Sequence, residues 1–195
     1  MLELSLMKIR IIAGELKGRA IEVPHKFSAH PMGERIRSAL FNSLAGEIQN
    51  SSVLDAFGGS GACGIEALSR GAASVLVLEK DRSVFRTLKK NLSLIKLNED
   101  ERIQISRAPT ETYLKNNPDL KFNIIIADPP YELAEKYSED PQNQLFRTLK
   151  LCASRLQKDG TLILSWPEKE ELPQIQNLSL AKQKTYAGAK IGWYV

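Results

Sequence analysis

Cysteine and histidine are scarce in this chain, two of each in 195 residues. Cys63 and Cys152 stand in unrelated contexts, and neither belongs to a disulfide framework or a zinc-ligand spacing. With only His25 and His30 to add to them, no metal site is expected. Long apolar runs are missing too, since nothing approaches the roughly 20 residues that span a bilayer. The first seven residues lack the basic flank, apolar core and small-residue cleavage site of a secretion signal. Residues 1–6 read as a disordered extension or a misassigned start, with Met7-Lys8 the natural beginning. Repeats, low-complexity tracts and interdomain linkers are also absent. Together these absences point to a single soluble domain over residues 1–195, in a reducing cytoplasm and engaging no membrane; a monomer is expected, though none of these features bears on oligomeric state. Apolar content of 43% and charged content of 26% suit such a globular core.

Charge of one sign is unevenly placed. Of the net +4, residues 1–37 hold +3 (Lys8, Arg10, Lys17, Arg19, Lys26, Arg35 and Arg37 against four Glu). Residues 178–195 hold another +3, from Lys182, Lys184 and Lys190 without an acid, so the middle is slightly acidic. Basic ends around such a body suit either a polyanion footprint or ordinary solubilising charge.

Lys8–Ala13 and Ala20–Val23 read as a basic β-hairpin, and residues 25–33 as a loop. Apolar positions 36, 39, 40, 41 and 44 predict an amphipathic helix over Glu34–Leu44. Arg35 and Arg37 in its first turn oppose the helix dipole, so a task in binding phosphate or substrate is expected of them. Strand and helix then alternate. Val53–Asp55, Ser74–Leu78, Ile103–Ser106, Phe122–Ala127 and Thr161–Ser165 are read as strands, the last after an Asp159-Gly160 turn. The helices are 62–70, 82–94, 110–115 and 142–156. Segments 179–186 and 189–195 around Gly188 read as a closing hairpin. This order predicts an α/β fold with a mostly parallel sheet. Residues 1–33 would form an extension and 34–195 the catalytic core.

Two stretches carry chemistry. Asp128-Pro-Pro-Tyr131 ends a β-branched run, at the sheet edge where open α/β folds bind ligands. Two prolines would bar an immediate helix and leave a stiff, extended turn. A carboxylate and a proline carbonyl there can accept both N–H groups of an exocyclic base amine, draw its nitrogen toward tetrahedral geometry and stabilise the developing positive charge. Tyr131 can stack the extruded base. The second stretch, Asp55-Ala-Phe-Gly-Gly-Ser-Gly61, lies between the first core strand and its helix. Gly59, Gly61 and Gly64 match the dinucleotide spacing G-x-G-x-x-G, with Glu79 twenty residues after Gly59. A nicotinamide or flavin enzyme is therefore a rival. Against it, Asp55 would repel a pyrophosphate yet suits the ammonium and sulfonium of S-adenosylmethionine.

These stretches, with Ile9-Arg-Ile-Ile-Ala-Gly-Glu-Leu-Lys-Gly-Arg19, Arg35-Ile-Arg37, Ala39-Leu-Phe-Asn42, Glu66-Ala-Leu-Ser-Arg-Gly71 and Glu79-Lys-Asp81, resemble the RsmD family of small-subunit rRNA (guanine-N2)-methyltransferases, within the amino-methyltransferases that carry Asp-Pro-Pro-Tyr. The resemblance implies a Rossmann-like S-adenosylmethionine-dependent methyltransferase fold. Its sheet would have seven mostly parallel strands, a C-terminal antiparallel hairpin and an N-terminal hairpin-plus-helix extension. It also implies methyl transfer to N2 of a guanine in 16S rRNA or its assembly particle. Asp128, Pro129 and Tyr131 would hold the base. Asp55, Phe57, Gly59, Gly61, Glu79, Lys80, Asp81, Ala108 and Asp128 would hold the cofactor, and Arg10, Lys17, Arg19, Arg35 and Arg37 would face RNA. The chain departs from the family pattern at His30-Pro-Met-Gly33, where Arg-Pro-Thr is usual, and at Arg107-Ala-Pro109, where an acid or amide is usual. Cys63 takes a usual leucine position. A methyltransferase of DNA or other RNA, or a non-catalytic cofactor-binding assembly factor, stays open as an alternative.

Overall fold

The computed structural model describes residues 7–24, 32–139 and 143–195, apart from the side chains of residues 138 and 139. The N-terminal hairpin is β1 (Lys8–Arg10) and β2 (Ala20–Glu22), followed by α1 (Glu34–Ser43). The core alternates β3 (Ser52–Asp55), α2 (Ala62–Ser69), β4 (Ser74–Leu78), α3 (Arg82–Leu94), β5 (Ile103–Ser106), α4 (Thr110–Asn116) and β6 (Phe122–Ala127). It closes with α5 (Tyr131–Glu139), α6 (Gln144–Ser154), β7 (Leu156–Pro167), β8 (Leu180–Tyr186) and β9 (Ala189–Tyr194). Seven strands lie in the order β5-β4-β3-β6-β7-β9-β8, parallel from β5 to β7 and antiparallel through β9 and β8. Among the described residues, no helix is long and apolar enough to cross a membrane.

The near-continuous apolar strands are covered on both faces, and the twofold repeat of a strand divides their side chains between two cores. Val53, Val75, Val77, Ile124, Ile126 and Ile163 pack with Leu40, Phe41 and Leu44 of α1 and with Ile11 and Ile21 of the hairpin. Leu54, Leu76, Leu78, Ile125, Leu162 and Leu164 pack on the opposite face with Leu145, Leu149 and Cys152 of α6.

Strands of three residues cannot stand alone, and side chains from the core hold this hairpin in place. Glu66 on α2, with no exposed surface, accepts from the amides of Ile12 and Ala13 at 2.7 and 3.1 Å. The Ser69 hydroxyl accepts from the Leu16 amide at 2.9 Å and donates to the Ala13 carbonyl at 2.5 Å. The buried Asn91 carboxamide accepts from the Glu22 amide at 2.8 Å and donates to the Glu22 carbonyl at 2.9 Å.

The first hairpin strand, expected to reach Ala13, ends at Arg10, and the larger differences from the sequence-based expectation lie on either side of α6. A helix begins directly after Pro130, whose carbonyl accepts from the amides of Leu133 at 2.9 Å and Ala134 at 3.4 Å. A proline at a helix start loses no bond, because that position needs no donor. The restriction falls on the residues before each proline, Asp128 and Pro129. The second larger difference is β7, which starts at Leu156 and runs through Asp159-Gly160 without a break. Asp159 takes a φ of 62° there, and the pairing with β6 shifts register between Phe122 and Ile124. The helix expected over 142–156 accordingly ends at Ser154, and residue 142, like residues 25–31 of the expected loop and residues 1–6, lies outside the described residues.

Candidate active site

β4, β3 and β6 are neighbours, and their carboxyl ends deliver Glu79, Asp55 and Asp128 to one edge of the sheet. Asp55 is 2% exposed, and its Oδ2 accepts the Gly64 amide of α2 at 2.9 Å. It thereby takes a free N–H of the helix start, the position a pyrophosphate would need in a dinucleotide enzyme. Burial lifts the Asp55 carboxyl to about 7 despite the Gly64 bond, and the negative charges of Asp128 and Glu79 add to the rise. Asp128 keeps some surface open to the site while dense protein surrounds its carboxyl. Burial lifts it to about 6, against a lowering hydrogen bond from Ser165 on β7. Glu79 is 8% exposed and likewise raised by burial. Its two oxygens accept the amides of Gly59 at 3.0 Å and Asp81 at 2.7 Å, so it fixes the glycine loop to the end of β4.

That loop needs glycine for distinct reasons. Gly59 has a φ of +54°, and a Cβ there would come no nearer than 3.9 Å, to the Phe57 carbonyl, so it is the conformation and not the space that calls for glycine. Gly61, at φ +84°, begins α2, and a Cβ would stand 2.4 Å from a methyl of Leu88. Asn91 donates to the Ser60 carbonyl at 2.8 Å, tying the same loop to β2.

Two cavities open at this edge. One, of about 270 Å³, has Phe57, Leu78, Glu79, Lys80, Asp81, Val84, Ala108 and Leu145 in its wall. The other, of about 80 Å³, lies against Val23, Met32, Asp55, Phe57, Gly59, Cys63, Pro129 and Tyr131. Phe57, Asp128 and Pro130 belong to both. Apart from Gly61, every residue expected to hold cofactor or base thus lies on one cavity or the other. Gly61 lines neither and faces α3. Asp81 also caps α3, accepting the amides of Ser83 and Val84 at 2.7 and 3.0 Å. The Tyr131 hydroxyl donates to the Gly188 carbonyl in the β8–β9 turn at 2.7 Å, and the Gly188 amide donates to Glu168 at 2.8 Å. Thr110 donates to the carbonyl of Ala56. No cluster of His, Cys, Asp or Glu among the described residues is disposed to hold a metal ion.

Of the basic residues expected to face RNA, Arg10, Lys17, Arg19 and Arg35 are exposed. Arg37 is not. It has no exposed surface, donates to the carbonyls of Arg10 at 2.7 Å and Met32 at 3.4 Å, and lies 3.9 Å from Glu66. Its charge is spent inside the protein, joining α1 to the hairpin and α2.

Other parts of the site give little sign of themselves in the sequence. Gln144, Leu145 and Thr148 of α6 line the larger cavity and carried no signal beyond ordinary amphipathicity. Ser165 could have been found, as a polar residue near the end of an apolar strand. Val23 and Met32 bring the N-terminal extension to the smaller cavity.

Comparison with known proteins identifies the family. A family model described as "Conserved hypothetical protein 95" matches residues 9–195. The chain is 34% identical over 181 residues to ribosomal RNA small subunit methyltransferase D of Haemophilus influenzae, covering 91% of this chain and 89% of that protein. Among solved structures, yhhF from Escherichia coli superposes with a TM-score of 0.78 at 30% identity, over 96% of this chain and 97% of that one. SMU.776, solved in complex with SAH, shares the fold alone, with a TM-score of 0.62 at 14% identity over 81% of this chain and 48% of that one. The near-complete family match and the extent of the first relative show that this chain belongs to the family described as conserved hypothetical protein 95, that of the ribosomal RNA small subunit methyltransferase D proteins.

Proposed function

We propose that this chain methylates the exocyclic N2 of a guanine in small-subunit rRNA. Its family makes it an rRNA methyltransferase that uses S-adenosylmethionine. The choice of N2 of guanine and the residue roles below are the finer reading. We take residues 1–33 and 34–195 to work as one unit, a monomer without metal in the cytoplasm.

The observation that carries the residue assignment is the position of Asp128 at the junction of the two cavities. The larger cavity fits an adenosyl group. Leu78, Val84 and Leu145 offer apolar walls for a purine, and Glu79, though bonded by the backbone of Gly59, Asp81 and Lys80, keeps acceptor capacity on its two oxygens for a ribose hydroxyl. Three carboxylates at one edge favour a ligand that carries positive charge. Bound there, S-adenosylmethionine supplies an activated methyl group on its sulfonium.

The smaller cavity takes the acceptor base. Asp128 and the Pro129 carbonyl accept the two N–H bonds of its amine and free the lone pair from conjugation, while Tyr131 stacks the ring. The bond to Gly188 fixes the tyrosine ring in place. No stronger base is required, because the methylated nitrogen becomes acidic as it forms and Asp128, lifted to about 6, can take its proton.

The test is transfer of labelled methyl to small-subunit rRNA, or to assembly particles, from a strain lacking the modification, with mass spectrometry of the nucleosides. Wild type is expected to yield N2-methylguanosine. Asp128→Asn should lower turnover by roughly a hundredfold or more while cofactor affinity changes only a few-fold. Methylation of duplex DNA or of adenine N6, or full activity of Asp128→Asn, would overturn the reading.

A further inference from the structure

β8 is the outermost strand of the sheet, and its residues 180–185 are exposed on both faces. Packing therefore does not dictate its composition, which is one-sided, since from Leu178 to Val195 there are three lysines and no acid. Pairing with β9 sets the faces. Lys182 stands opposite Trp193, Lys184 opposite Ile191 and Tyr186 opposite Ala189, and opposed residues share a face. Ile191 and Trp193 belong to the core beneath α1 and the N-terminal hairpin. Lys182 and Lys184 thus lie on the face that carries Arg35 and the exposed hairpin bases.

Neither lysine forms an ion pair among the described residues, and the Lys182 ammonium lies 5.0 Å from the centroid of the Trp193 ring. Two residues apart on one strand, they are spaced about 7 Å. The strand leads to the site, because beyond Tyr186 the hairpin turn is bound through Gly188 to Tyr131 on the rim of the smaller cavity. Val23 and Met32, from the N-terminal extension, line that cavity as well.

We propose that Lys182 and Lys184 are a second phosphate-binding arm, so that RNA is gripped by the C-terminal hairpin as well as by the N-terminal one, with the target base between them. This rests on the rRNA methyltransferase reading. An RNA backbone fits better than an acidic protein, because these lysines continue the basic face around a cavity that admits a base. An ammonium also contacts phosphate as a point charge without a shaped pocket. Docked phosphates would hold the hairpin turn, and through the Gly188 carbonyl they would hold the ring of Tyr131.

The test is Lys182→Gln/Lys184→Gln, together with the charge-reversed Lys182→Glu/Lys184→Glu, on the full chain. Binding to naked small-subunit rRNA is measured across a salt series, beside methyl transfer and thermal melting. The glutamine pair should weaken RNA binding roughly tenfold and reduce the slope of log K against log salt by about 1.5. The loss should sit in the KM for RNA, with S-adenosylmethionine affinity and melting temperature retained, and the glutamate pair should bind more weakly still. An unchanged affinity and slope would overturn the arm. So would a loss seen only on protein-bearing particles, which would indicate a protein contact, or a change in self-association alone, the other known use of lysine on an edge strand. A wild type that neither binds nor methylates rRNA would remove the functional reading itself, an outcome distinct from the loss of the arm.

Discussion

The guanidinium of Arg37 donates to two backbone carbonyls and faces Glu66, which in turn serves the amides of Ile12 and Ala13 and the Nε of Arg70 at 2.7 Å. Truncating Arg37 leaves Glu66 paired with Arg70 but takes the donor from the carbonyls of Arg10 and Met32 and empties a fully buried site, and each buried group left unsatisfied costs about 1–3 kcal/mol. Arg37→Ala is therefore expected to lower the melting temperature by roughly 10 °C for a chain of this size. The salt dependence of RNA binding should keep its slope. Arg35 is exposed and two residues away, and Arg35→Ala should do the reverse, reducing that slope by about 0.8 while leaving the melting temperature alone. Melting curves and salt titrations of the two variants separate the roles, and a flattened salt slope in Arg37→Ala without loss of stability would return that residue to the RNA surface. The sequence already held the clue. Positions 37, 40, 41 and 44 follow helical spacing, so Arg37 shares the face of Leu40, Phe41 and Leu44.

Asn91 shows how one helix couples the extension to the cofactor loop. It lines neither cavity, yet its carboxamide bonds both backbone groups of Glu22 on β2 and the carbonyl of Ser60 between Gly59 and Gly61. Asn91→Leu keeps the volume and removes all three bonds, and each buried group left unsatisfied costs roughly 1–3 kcal/mol. The expected result is faster hydrogen exchange at Glu22 and across Gly59–Gly61 together, with S-adenosylmethionine binding weakened about tenfold. Exchange that rises only in the hairpin, with cofactor binding intact, would refute the coupling. Elements of this kind were legible to different degrees. β3, β4 and β6 could be read because fully buried parallel strands must be apolar on both faces, and their polar ends then mark the ligand edge. α5 was hidden by the Pro-Pro pair, although a proline at a helix start is harmless, and the first part of β7 by an Asp-Gly pair that reads as a turn. Asn91 left no trace, because a polar residue on an amphipathic helix gives no sign of which distant backbone it will satisfy.

Across the whole molecule, three carboxylates, Asp55, Glu79 and Asp128, gather at the ligand edge, while Arg10, Lys17, Arg19, Arg35, Lys182 and Lys184 stand exposed outside it. Asp55, raised to about 7, and Asp128, raised to about 6, bind protons in the folded state that the unfolded chain, near 3.9, has already lost. Stability must then fall as pH rises from about 4 to 7, by up to roughly 4 kcal/mol for Asp55 alone. Asp100, lowered by its bond from Arg102, and Glu111, lowered by Lys115 and then Arg147, contribute stability that is lost as pH falls through and below their ordinary values, at the acid end of this window. The melting temperature of the free protein should accordingly decline from pH 5 to pH 8, and Asp55→Asn should flatten that decline. A cationic ligand reverses the balance, because its charge stabilises the carboxylates and drives their protons off. Binding of S-adenosylmethionine at pH 6.5 should therefore release protons, and binding of S-adenosylhomocysteine, which lacks the sulfonium charge, should release fewer. Calorimetry in two buffers of different ionisation enthalpy measures the difference directly. Equal release by the two ligands would mean that the carboxylate edge does not sense the sulfonium, and that preference for the methyl donor arises from shape instead.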